Sequence, residues 1–96
     1  MAVPASARLH RSAATLWREG EFGVVLLAPG SDEPQTLTGT GRALWHALAE
    51  PVTPGELANR LATGFGVNRG QVAADISPVL EALQRIGAIE PLRDDG

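Results

Sequence analysis

The spacing of hydrophobic positions changes once along the chain. Before Leu37 they come in short runs rich in β-branched residues, and after it they recur every three or four residues. Ala13 to Trp17 reads as a first strand, Glu19-Gly20-Glu21 as a turn, and Phe22 to Ala28 as a second strand around Val24-Val25-Leu26-Leu27, closed by Pro29-Gly30-Ser31-Asp32. An unbroken apolar run predicts either a central strand covered on both faces or a sheet backed by helices. Glu33 to Leu37 is then a third, short strand. Pro34 cannot donate to a ladder, which places that strand at a sheet edge or makes Pro34 its first residue.

Three helices follow. Thr38 or Thr40 can cap the first, which runs to about Ala49 with Leu44, Trp45 and Leu48 inward, and Glu50-Pro51 ends it. Thr53-Pro54-Gly55-Glu56 is a capping box with proline at the first helical position, and Leu57 and Leu61 follow four apart. Gly64 and Gly66 stop this second helix, with Phe65 between them as a core plug. Asn68-Arg69-Gly70-Gln71 opens the third helix. Its apolar stripe takes in Val72, Ile76, Val79, Leu83 and Ile86, with Leu80 on the flank. Pro78 removes a backbone donor in mid-helix and predicts a kink, Gly87 caps the end, and Ala88-Ile89 returns as a brief extended segment.

The pattern predicts an α+β fold: a three-stranded antiparallel sheet followed by three helices. Residues 1–11 read as a flexible N-terminus, 12–90 as the folded domain and 91–96 as a flexible acidic tail containing Asp94-Asp95. The third helix has a wider stripe than a sheet with a short outer strand can cover. The uncovered part becomes a groove between strand and helix.

Composition narrows the chemistry. The chain has 96 residues, enough for one core but not for a deep cleft, so function is expected at the surface. No cysteine is present, which removes disulfides, Cys-zinc sites and thiol nucleophiles. The basic residues are 8 arginines against 11 acids, a net charge of −3, so nucleic acid is not expected as a partner. No apolar run is long enough for a membrane span, and the first ten residues lack the core of a secretory signal, which together predict a cytoplasmic protein.

No site for chemistry emerges. His10 and His46 lack partners at metal-ligand spacing, and Gly39-Thr40-Gly41 and Gly64-Phe65-Gly66 lack the rest of a phosphate-loop fingerprint. No serine has a visible His and carboxylate partner. The expectation is a binding protein with no enzymatic activity, cofactor or metal. Asp75 stands out at the edge of the third helix's stripe, where it either reaches solvent or helps orient a partner.

The ordered series Phe22-Gly23-Val24-Val25-Leu26-Leu27, Leu37-Thr38-Gly39-Thr40-Gly41, Ala43-Leu44-Trp45, Thr53-Pro54-Gly55-Glu56-Leu57 and Ala74-Asp75-Ile76 with Leu80, Leu83 and Gly87 resembles the PqqD-like family of RiPP recognition elements. The resemblance spans about residues 12 to 90 and is nearest to the stand-alone recognition proteins of lasso-peptide pathways. It implies a winged helix-turn-helix-like fold that binds the leader of a ribosomally made precursor peptide. It also implies delivery of that peptide to a leader peptidase and a macrocyclase. Two departures show: Thr38 stands where the family often has Asn, and Pro34-Gln35-Thr36 where it tends to carry an aromatic residue.

An edge strand exposes unpaired backbone groups that an extended peptide can join as a further strand. The expected site therefore runs antiparallel along Pro34, Gln35, Thr36, Leu37 and Thr38. Asp75, Val79, Ala82 and Ile86 form the helical wall, Val72 and Leu83 the floor, and Ile76 completes the set. The alternative is a winged-helix nucleic-acid-binding regulator. In that reading the third helix would enter a DNA groove, but it offers only Arg69 and Arg85 against Asp75 and Glu81.

Overall fold

The computed structural model describes residues 7–92. Five strands and three helices follow in the order β1 (Leu9–Arg11), β2 (Leu16–Glu19), β3 (Val24–Leu27), β4 (Gln35–Leu37), α1 (Thr40–Ala47), α2 (Pro54–Phe65), α3 (Arg69–Arg85) and β5 (Ile89–Pro91). The expected antiparallel sheet is present, ordered β2-β3-β4, so β4 is an edge. Three helices follow it, as the periodicity predicted.

Of the two expectations for the central strand, the sheet backed by helices holds, on one face only. Val24 and Leu26 are buried, whereas Val25 and Leu27 remain 41% and 38% exposed. The run is apolar throughout, but only one face meets the helices. Leu16 lies opposite Leu27 across the β2–β3 pair, so it joins the uncovered face. The first strand also begins three residues later than expected, at Leu16, because Ser12 to Thr15 forms a turn closed by the Thr15 amide on the Ser12 carbonyl.

A second correction concerns the ends. Leu9–Arg11 lies in the segment read as a flexible terminus, yet it pairs antiparallel with Ile89–Pro91 in a two-stranded sheet, and Leu9 is fully buried. Leu9 also exchanges both backbone bonds with Val52, between α1 and α2. Pro91 thus belongs to the fold. The rest of the predicted acidic tail, 93–96, and residues 1–6 lie outside the described residues.

Capping decides the helix starts. The Thr53 hydroxyl accepts from the Glu56 amide at the head of α2, and the Asn68 side chain accepts from the Gly70 and Gln71 amides at the head of α3. Neither Thr38 nor Thr40 caps α1 with its side chain. Gly39, at φ 53°, takes the cap position, and the Thr38 carbonyl instead receives the Gly41 amide. Phe65 ends α2 half-exposed, not plugged into the core. α3 continues through Pro78, buries Val72, Ile76, Leu80 and Leu83, and leaves Val79 and Ile86 only partly covered. Leu80 is therefore core, and Val79 and Ile86 are the flank.

Among the described residues no helix is long and apolar enough to cross a membrane, and no group of His, Asp and Glu is arranged to hold a metal.

Candidate functional site

The β2–β3 hairpin closes with the Gly20 amide on the Gly23 carbonyl. Antiparallel bonds alternate, so Arg18–Val25 and Leu16–Leu27 are bonded pairs, and Val24 and Leu26 turn their backbone groups toward β4. Their partners Leu37 and Gln35 are thereby satisfied. Thr36, opposite Val25, is not: its N–H and C=O point away from the sheet. The open edge thus offers both Thr36 groups, the Thr38 N–H and the Pro34 carbonyl. Pro34 precedes the strand, where its missing N–H costs the ladder nothing.

Two close approaches hold this edge in place. A Cβ on Gly23 would lie 2.3 Å from the Leu37 carbonyl oxygen, so only glycine lets β3 and β4 meet there. A Cβ on Gly30 would lie 2.6 Å from the Ile86 carbonyl oxygen, which the Gly30 amide contacts at 2.7 Å. The loop before β4 is thereby tied to the C-terminal end of α3.

Between β4 and α3 lies an open trough of about 320 Å³, walled by Gln35 and Leu37 on one side and by Pro78, Val79, Ala82 and Ile86 on the other, with Leu83 below. Five of the residues expected there from the sequence line it with Leu83, and none of its lining among the described residues is charged. Pro78 was missed; the signal was available, since it lies one position from Val79 on the same helical flank. Thr36 and Thr38 contribute backbone rather than lining.

Val72 and Asp75 line a separate hollow of about 400 Å³ farther toward the N-terminus of α3, with Thr40, Phe65, Val67 and Gln71. Phe65 and Val67 are 50% and 52% exposed, large apolar side chains left at the surface. Ile76 is a correction. It is buried and faces a third hollow on the opposite side of α3, with Leu9, Ala58 and Leu80, and so cannot contact anything held along β4.

At the far edge of the sheet, Glu19 bridges Arg42 at 2.7 Å and His46 at 2.6 Å, and Trp17 meets the edge of Trp45 at 6.0 Å. Arg11 inserts its guanidinium against both indoles, 4.7 and 4.9 Å from their centres, and donates from Nε and Nη2 to the Trp45 carbonyl. Burial pushes the Arg11 pKa below its ordinary value. His46 thus belongs to a surface polar cluster joining β2 to α1.

The family model described as coenzyme PQQ synthesis protein D (PqqD) matches residues 23–89. No curated protein matches the chain. Two solved structures are similar to it. The first is the PqqD truncation of Methylobacterium extorquens PqqCD, described as a functional, stand-alone recognition element for ribosomally synthesized and post-translationally modified peptides. It has a TM-score of 0.76 at 23% identity, over 93% of this chain and 95% of that one. The second is TbiB1 in complex with the TbiA(beta) leader peptide, with a TM-score of 0.74 at 26% identity, over 88% of this chain and 99% of that one.

Proposed function

Because this chain belongs to the PqqD family, whose model covers the sheet edge and all three helices, we propose that it binds the leader segment of a ribosomally made precursor peptide without catalysing a reaction itself. The observation that carries this reading is the unpaired β4 edge beside a largely apolar trough. TbiB1, similar over nearly its whole length, is a protein solved with a leader peptide bound.

The energetics assign separate roles to edge and trough. Up to four backbone bonds at β4, each netting about 0.5–1.5 kcal/mol, give about 2–6 kcal/mol. Ordering a flexible segment costs about 2–5 kcal/mol or more, so backbone pairing alone scarcely holds a peptide. Each large apolar side chain buried in the trough adds about 1.5–3 kcal/mol. Affinity and choice of peptide therefore reside with Val79, Ala82, Leu83 and Ile86, and register with Thr36.

The peptide runs antiparallel to residues 34–38 and drops alternate side chains toward α3. In the finer reading the protein acts in the cytoplasm in lasso-peptide biosynthesis, presenting its cargo to a leader peptidase and a macrocyclase. Calorimetry with candidate leader peptides tests the binding. Val79→Glu is expected to abolish it while circular dichroism stays native, and unchanged affinity would remove α3 from the site.

A further inference from the structure

Among the described residues, Asp75 is the only charged one lining either the trough or the hollow next to it. Its carboxylate takes part in no ion pair or side-chain hydrogen bond among the described residues. Two arginines of the helices are otherwise placed: Arg42 is bound to Glu19, and Arg69 lies on the opposite side of α3 beside Gly55. Phe65 and Val67 flank Asp75 with apolar surface that the fold leaves uncovered. An apolar wall with one unpaired carboxylate complements a side chain that has an aliphatic stem and a cationic head.

We infer that the hollow formed by Phe65, Val67, Val72 and Asp75 is a second pocket for the same bound peptide and selects a lysine or arginine in it. The inference rests on the leader-binding reading. The stem packs on Phe65, Val67 and Val72, and the head pairs with Asp75.

The fold also sets where that residue falls in the peptide. Gly30 ties the start of β4 to the C-terminal end of α3, while Thr40, just past the end of β4, lines the hollow at the N-terminal half of α3. A peptide antiparallel to β4 therefore reaches the hollow with its earlier residues. About 10–16 Å of helix, at 1.5 Å per residue, separates Ala82 and Leu83 from Asp75 and Val72. That is about three to five strand residues at about 3.3 Å each. Side chains on one face recur every second residue, so the basic residue precedes the apolar anchor by about four positions.

A set of acetylated twelve-residue peptides tests this, each with one fixed leucine anchor and a lysine, norleucine or glutamate moved through the other positions. Binding is followed by amide shifts of the labelled protein at Val79 and Ile86 and, separately, at Val67, Gln71 and Asp75. The expected result is a preference of about three- to fivefold for lysine over norleucine near four positions before the leucine, weakening with salt. Asp75→Asn removes the preference for lysine over norleucine, and Asp75→Lys transfers it to glutamate. Equal affinity for lysine and norleucine, with Val79 and Ile86 still shifting, overturns the second pocket and leaves the trough intact. No shift at Val79 or Ile86 with any peptide overturns both.

Discussion

A methyl group at Gly23 would overlap the Leu37 carbonyl oxygen at 2.3 Å, and the nearest relief is to move β4. Gly23→Ala is expected to cost about 1–3 kcal/mol, in the range of overpacked cores, and to displace the amide signals of Thr36 and Leu37. An unchanged melting temperature would mean that the strands can separate there freely. At the head of α2 the Thr53 hydroxyl satisfies the Glu56 amide at 3.1 Å, so Thr53→Ala should cost about 1 kcal/mol, or about 4–8 °C in Tm for a domain of this size. These two residues differ in how readable they are. Thr53 sits in a local four-residue pattern whose chemistry is complete within itself, and the helix start follows directly from it. Gly23 owes its role to a strand that arrives fourteen positions later in the sequence, so no local pattern reveals it. The start of α1 shows the same limit: Thr38 and Thr40 both had the right side chain, but the backbone turned at Gly39 and used the Thr38 carbonyl.

At the level of elements, β4 and α3 define the groove between them. Thr36 directs its N–H outward, so Thr36→Pro removes a donor to an incoming strand without breaking a bond to β3. The variant should fold, with its near-native Tm read by calorimetry, and lose at least about tenfold in leader affinity. Loss of folding would show that the Thr36 amide is paired within the sheet. The position of β4 at an edge was legible because Pro34 and a short strand argue for one. The phase of α3 was legible only in part. The stripe Val72, Ile76, Val79, Leu83 and Ile86 was found, but the buried face centres on Ile76 and extends to Leu80. Periodicity fixes which residues share a face; what that face packs against depends on α2 and β1, which lie on the Ile76 side. Ile76 was thus placed in the groove although it belongs to the core behind it.

Across the whole molecule, the chain ends are joined: β1 pairs with β5, and Arg11 then clamps this pair to α1 by donating to the Trp45 carbonyl between two indoles. No local pattern announces this pairing, because Leu9-His10-Arg11 is too short and polar to register as a strand by alternation. Arg11→Ala should lower stability by about 2 kcal/mol and red-shift the tryptophan emission, since Trp17 and Trp45 are the only two indoles in the chain. Unaltered emission would place the guanidinium elsewhere. The net charge of −3 and the absence of a basic face on α3 predict no retention on DNA even at low salt, and retention would revive the winged-helix alternative.

The central claim, that a leader peptide adds as a strand to β4, is tested most directly by hydrogen exchange at the Thr36 amide with and without a leader peptide that the protein binds. The outward N–H of the free protein should exchange rapidly and become strongly protected at saturation, together with shifts confined to residues 34–38 and the groove side of α3. A Thr36 amide that still exchanges rapidly while the peptide is bound would contradict strand addition.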